Sequence, residues 1–360
     1  MRVKERASKR KHSASGVLAV PQTEWTPIEN VPQLKDCLPK LKSLGYSTFE
    51  QFIGATQVIS AELEGFLGTP IDKLVESIPT LPQAISTDDQ RLIDETSYAM
   101  GALIDEVPRS SNAFAVEPIE FTTGDCVDLT GEMPPIKNQG GRGTCVAFAA
   151  TAVHEHYRIK VTANLQAGQS LSEQFLYWDC KRSDGHPTAA GTWLGVAFPA
   201  LRKDGQCLDP TWQYVPTAVP GNEGQGPPPP AAVVEALRYR VPSFVALSPT
   251  SVADIKARLA QRRCVAFSIP VFNSWYANTY VKLSGDIVMP TPGEVRSGGH
   301  AMCIVGCQIL PNNPELGLGR FILRNSWGTA WGIKSPHGPG YGTIPFAYIA
   351  KYGVEAYSLP

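Results

Sequence analysis

The chain changes texture once, near residue 111, and that change limits the folds open to it. Before it, from about Trp25 to Pro79, apolar residues recur every three or four positions in the runs LKDCLPKLKSLG, TFEQFIGA, SAELEGFLG and PIDKLVESI, with Gly or Pro as punctuation. This rhythm predicts a small bundle of short helices. DDQRLIDETSYAMGALID predicts a further helix over Asp88–Asp105, and PRSSNAFAVEP reads as an exposed connector. Beyond it Gly and Pro become frequent and a helix is expected around Thr144–Lys160. After Val241 the runs CVAFSIPVF, HAMCIVGCQI and GRFILRNSW have strand character. Helices first and strands later predict an α+β fold. The expected organisation is a basic tail over 1–24, a helical module over 25–110 and a larger domain over 111–360.

Composition narrows the function by exclusion. A formal net charge of −1 over 360 residues gives no field suited to nucleic acid or to an anionic membrane. The first dozen residues, MRVKERASKRKH, are basic, but the apolar stretch Gly16–Val20 is too short for a signal-peptide core or a membrane span, so the expected location is the cytoplasm. LKSLGYSTFEQFIGA has the rhythm of helix-hairpin-helix modules. Without a basic cluster on its turn, a packing or protein-contact role is expected and no nucleic acid partner. PGNEGQGPPPP, residues 220–230, reads as a stiff surface connection. The eight cysteines show no CxxC pair and no zinc-ligand spacing, so most are expected to be reduced. Cys303 and Cys307 would share one strand face as small buried hydrophobes.

Within the larger domain, NQGGRGTCVAFAATAVHEHY (residues 138–157) sets a glycine-rich turn, then Cys145, then a helical run with Ala147, Phe148, Ala150 and Val153 on its apolar side. A thiol at a helix N-terminus meets unsatisfied amides that favour the thiolate, its nucleophilic form. A thiolate needs a base that can later return the proton, and histidine is the side chain that titrates near neutrality. Among six histidines, His300 follows SGG and opens the strand-like run HAMCIVG, whereas His12, His154, His156, His186 and His337 lie in a tail, on a helix or in polar loops. RNSWGTAWG, residues 324–332, supplies Asn325, whose oxygen can accept a hydrogen bond from one imidazole nitrogen and leave the other facing the thiol. Trp327 is placed to cover that bond. Each feature alone has a plain structural reading: a buried thiol, a satisfied strand-end histidine, a turn asparagine. Together they point to nucleophilic catalysis.

In this order the segments resemble the papain-like (C1) cysteine peptidases, from near Val127 to about Ile344. The resemblance is carried by VDLTGEMPPIKNQG leading to Cys145, LSEQFLYWDC, KDGQCLDPTWQY, SGGHAMCIVG, RNSWGTAWG and GYGTIP. It implies a two-subdomain fold with a helical half that begins at the cysteine helix, a β-rich half that carries His300 and Asn325, and a cleft between them. It also implies that Gln139, six residues before Cys145, shares an oxyanion hole with the Cys145 N–H, that His300 pairs with the thiolate, that Asn325 orients the ring and that Trp327 shields it. Gly191 matches the first of two glycines that pair with extended substrate; Thr192 stands at the second, and Gly299 borders the histidine. Arg142 stands where the family has a cysteine, which leaves Cys180, the match for its partner, unpaired, and Val146 replaces an aromatic residue. Loss of that bridge suits a reducing compartment.

The implied activity is hydrolysis of peptide bonds in a peptide or protein substrate through a thioester, with no metal or organic cofactor. The same residues would serve an amide-directed transferase or an isopeptide or peptidoglycan hydrolase, and the helical module could define an adaptor instead. That module has about the length of a family pro-region but lacks its spaced Glu, Arg, Phe, Asn and Ile pattern. It is expected to pack on the catalytic domain, with the connector after AMGALIDE crossing or blocking the cleft.

Overall fold

The computed structural model describes residues 25–82, 85–105, 126–166 and 168–360. The basic tail 1–24, the connector PRSSNAFAVEP and the expected boundary at 110/111 lie outside the described residues.

The N-terminal helices form where the periodicity places them: α1 Leu38–Ser43, α2 Phe49–Val58, α3 Ser60–Leu67, α4 Ile71–Glu76 and α5 Thr87–Glu95. Local signals set their ends. A capping box joins Thr48 and Gln51 at the start of α2, and Gly68 closes α3 in the left-handed conformation. Their apolar faces converge, with Ile28, Leu34, Leu41, Phe52, Ala55 and Leu63 fully buried, and they join one continuous core with the rest of the protein. The Gly45 turn of the hairpin-like segment packs inward, its carbonyl accepting from the buried Arg320 guanidinium at 3.3 Å.

One predicted element is shorter than its pattern. The helix expected to reach Asp105 stops at Glu95, Thr96 turns extended, and the Thr96 hydroxyl donates to Leu92 O at 2.7 Å. The AMGALID stretch is helical by periodicity but is drawn out as a strap whose backbone pairs with Thr192 and Gly299, a tertiary override of local propensity.

The larger part holds the helices α6 Cys145–His156, α7 Glu173–Ser183, α8 Leu194–Lys203, α9 Pro230–Ala236, α10 Val252–Ala260, α11 Asn273–Tyr276, α12 Thr279–Ser284 and α13 Phe346–Tyr352. Its antiparallel sheet comprises β1 Val245–Ala246, β2 Val265–Phe272, β3 Arg296–Ile309, β4 Gly319–Arg324, β5 Tyr341–Pro345 and β6 Glu355–Ser358, in the order β1-β6-β2-β3-β4-β5. α6 packs across β2 and β3 from one side, while α10 and α13 also pack against β2. This explains why every residue of β2 is buried and its sequence, Ser268 apart, is apolar without alternation. Every residue of α6 is buried too, and its run of small side chains lets it sit close to the sheet. The fold is α+β and papain-like, with the helical half (α6–α8) and the β-rich half meeting along the start of α6. Among the described residues no helix is long and apolar enough to cross a membrane.

The cysteines divide six to two. Cys37, Cys145, Cys180, Cys207, Cys264 and Cys303 are free and buried, whereas Cys307 is bonded to Cys126 across a sequence separation of 181. The reading of Cys307 as a simple buried hydrophobe is therefore corrected. The backbone explains the pairing: Asp128 bridges to Gly306, and Cys307 N–H donates to Val127 O at 3.1 Å, so the two cysteines arrive side by side. The segment over 220–230 is more than a surface connection as well. Gly226 packs against Trp178, and the carbonyls of Glu223 and Gly224 accept hydrogen bonds from Arg142 and Gln174.

Candidate active site

Cys145 is the first residue of α6 and is fully buried. Thr144 does not cap the helix, because its hydroxyl is engaged by Tyr214 at 2.7 Å, so the first amides of α6 are left to the thiol. The Ala301 N–H donates to Cys145 Sγ at 3.4 Å, and the amides of Gly101, Val146 and Ala102 also favour the thiolate. Burial outweighs them and pushes the thiol up to about 11.

His300 sits in β3 opposite Ile269 of β2, also fully buried. Its Nε2 meets Asn325 Oδ1 at 2.8 Å, and Trp327 stacks on the ring with centroids 4.3 Å apart and planes 21° from parallel. The acceptor oxygen requires the proton on Nε2, leaving Nδ1 as the basic nitrogen. Nδ1 is buried without a hydrogen-bond partner. Burial lowers the imidazole to about 4, against a smaller upward push from Asn325. In this state thiol and imidazole are both neutral near pH 7.

Gln139 lies on the turn before α6, held against the Asn325–Trp327 turn by the bridge Asn138–Trp327 and by its own N–H donating to Ser326 O at 2.8 Å. Its side-chain oxygen accepts from Ser326 Oγ at 2.6 Å, which fixes the amide so that Nε2 faces the cleft. That nitrogen donates to Arg142 O at 2.8 Å and to Ala99 O at 3.0 Å. Trp327 Nε1 donates to the same Ala99 carbonyl at 2.9 Å.

The strap fills the space beside these groups. Ala102 N–H donates to Gly299 O at 3.2 Å, Leu103 N–H to Thr192 O at 3.0 Å and Thr192 N–H to Gly101 O at 3.0 Å, a parallel pairing. Thr192 thus offers both of its backbone groups despite carrying a side chain where the second glycine was expected. Gly191 stands at φ +92°, next to the strap. Gly101 passes so close to the turn before α6 that a β-carbon on it would lie 1.9 Å from Gly143 O. Every position singled out in the sequence (Cys145, His300, Asn325, Gln139, Gly191, Thr192, Gly299 and Trp327) therefore gathers at one cleft.

The sequence reading did not give several supporting residues their parts. Arg142, noted only as a departure, is a polar staple: buried, it donates to Gln174 Oε1, Val215 O and Glu223 O, each at 2.8 Å, with Tyr177 and Tyr214 rings over its guanidinium. Beneath the same turn Lys137 reaches Glu155 at 2.8 Å and Glu173 at 2.6 Å. Both carboxylates raise the Lys137 pKa, while burial lifts Glu173 to about 7. Ser326 sits inside the RNSWG segment and was legible only as a neighbour of Asn325.

The model of the papain family cysteine proteases matches residues 122–344, more than half of the protein, and the chain belongs to that family. A peptidase C1-like protein of Acanthamoeba polyphaga mimivirus is 26% identical over 221 residues, which cover 59% of this chain and 65% of that protein. A cathepsin L-like proteinase of Fasciola hepatica is 27% identical over 253 residues, covering 68% and 66%. The chain thus matches slightly less than two thirds of each relative's length. Among solved structures, xylellain, a cysteine protease from Xylella fastidiosa, superposes with a TM-score of 0.62 at 24% identity over 73% of this chain and 97% of that one. A procathepsin B from Trypanosoma congolense gives 0.52 at 16% identity over 77% and 89%. At these identities the likeness concerns the fold.

Proposed function

We propose that the protein is a cysteine peptidase that hydrolyses peptide bonds through Cys145, His300, Asn325 and Gln139, and that residues 99–104 hold it inactive. The observation that carries the reading is the arrangement of one thiol at a helix N-terminus beside an imidazole fixed by an amide, with a strap of the same chain lying across both.

With the strap displaced, water and substrate enter, the burial that holds both groups neutral is relieved, and the Cys145 proton passes to His300 Nδ1. The thiolate attacks a peptide carbonyl carbon. The oxyanion is held by Gln139 Nε2 and the Cys145 N–H, and His300 returns the proton to the departing amine. Water, deprotonated by His300, then splits the thioester, releases the acid and restores the thiol. Asn325 keeps the ring in the tautomer this cycle needs, and Trp327 excludes water from their hydrogen bond. The strap resists cleavage because the thiol faces the N–H groups of Gly101 and Ala102 instead of a carbonyl carbon.

The test is intact-mass measurement after exposure to an epoxide that alkylates thiolates, with a fluorogenic peptide assay alongside. A single adduct and peptide hydrolysis, both absent from Cys145→Ala, are expected once the strap is displaced. Equal hydrolysis by Cys145→Ala and the parent removes the assignment. Gln139→Ala should slow turnover about a hundredfold.

A further inference from the structure

The strap and the helical module that carries it are attached to the catalytic part in different ways. The strap is held by three backbone hydrogen bonds, by Gln139 Nε2 and Trp327 Nε1 donating to the Ala99 carbonyl and, at its far end, by the exposed pair Arg296–Asp105 at 3.0 Å. The module is held by a shared interior. Asn278, fully buried, caps α12 through its oxygen and donates through Nδ2 to Gln51 O of α2 at 2.9 Å. The two surfaces touch so closely there that a β-carbon on Gly54 would lie 2.1 Å from Asn278 Oδ1. Met289 N–H donates to Leu44 O at 2.7 Å, and Arg320, anchored on Ile287 O and Thr343 Oγ1, reaches Gly45 O. The buried module residues belong to the same apolar cluster as those of the sheet. A face of this kind resembles a core cut in two, as permanent interfaces do.

The Cys126–Cys307 bridge ties residue 126 to β3, within the catalytic part and away from the face that holds the module.

We infer that the face formed by α11, α12, the segment 285–289 and Arg320 is a permanent docking surface for the chain's own N-terminal module: after a cut between Asp105 and Cys126 the module stays bound, and the mature protein is a two-chain complex. The inference deepens the proteolytic reading by stating what processing leaves behind. It follows that the strap in the cut protein stays next to the cleft within the two-chain complex, so its inhibition does not weaken on dilution for as long as the pieces remain bound.

The experiment uses the full chain with a recognition site for a specific protease placed within 106–125, in the Cys145→Ala background, cut and then passed through gel filtration and native mass spectrometry. Both pieces should travel as one 1:1 species down to sub-micromolar concentration, and should do so also with Gly101→Val, in which the strap has lost its seat. Separation of the pieces overturns the inference. Asn278→Ala, which keeps the apolar face, should release the module at least about tenfold faster; an unchanged release rate removes Asn278 from the docking surface. With Cys145 intact, specific activity of the cut protein should be constant over a hundredfold dilution, and activity rising with dilution would again overturn retention. An uncut chain already fully active sinks the inhibitory reading of the strap and leaves the co-elution result to stand alone.

Discussion

Gly101→Val addresses the strap directly. No β-carbon fits at Gly101, since one would stand 1.9 Å from Gly143 O and 2.2 Å from Gly143 C, both backbone atoms that cannot swing aside. The strap must therefore lift at its centre, which breaks the bonds from Ala102 to Gly299, from Leu103 to Thr192 and from Thr192 to Gly101. At a net ~0.5–1.5 kcal/mol for each hydrogen bond, the closed state loses about 1.5–4.5 kcal/mol. That moves the closed–open equilibrium roughly tenfold to two-thousandfold toward the open form. The readout is the rate of epoxide alkylation of the intact chain at pH 7, followed by mass, with Cys145→Ala as the blank. Alkylation at least about tenfold faster than in the parent is expected. Because the helical module is anchored independently, the thermal midpoint should fall by no more than a few degrees. A folded Gly101→Val chain alkylated at the parental rate, or a parent already alkylated as fast as an unprotected thiolate, would refute the reasoning.

The remaining predictions concern pH, the staple beside Cys145 and the disulfide. Closure holds His300 at about 4 against an ordinary 6.5, so the open state binds more protons between those values; closure is favoured above pH 6.5 and weakens as pH falls toward 4. Closure also holds Cys145 at about 11 against an ordinary 9.0, so it weakens as pH rises from 9 through 11. The ratio of parental to Gly101→Val alkylation rates should be lowest between pH 6.5 and 9 and approach unity on either side. Arg142→Ala leaves the carbonyls of Val215 and Glu223 without their donor and should destabilise the fold by about 3 kcal/mol or more. Thermal denaturation measures this, and kcat should fall because Gln139 loses the support of its turn. Cys126→Ser removes a link across 181 residues and should cost at most about 4–5 kcal/mol, visible as a lower midpoint that reductant no longer changes.

The parts legible in sequence were those whose signal is local. The helix after Cys145 has its turn, its small residues and its apolar side within twenty positions, and the same holds for the strand opened by His300 and the turn containing Asn325. What escaped depended on partners far along the chain. Arg142 finds Val215 and Glu223 only after folding, and Cys126 meets Cys307 because Val127 and Asp128 pair beside Gly306. The end of α5 was misplaced because AMGALID has helical spacing, and the groups that draw it out, on Thr192 and Gly299, stand roughly ninety and two hundred residues away. Thr192 shows the opposite case: it carries a side chain where the family has a glycine, and its N–H and C=O both pair with the strap all the same.

The staple at Arg142 has a chemical consequence for the thiol beside it. A nucleophilic cysteine must be kept from oxidation, and the thiols that would regenerate it also attack disulfides. Had the turn ahead of α6 been clamped by a disulfide, restoring an oxidised Cys145 would endanger the scaffold around it. Here the clamp is made of hydrogen bonds and two aromatic faces, Cys180 remains a buried thiol, and the Cys126–Cys307 bridge lies outside the turn. Reductant acting on Cys145 leaves the turn that positions it in place, and the part of the scaffold open to reduction is the Cys126–Cys307 bridge, away from that turn.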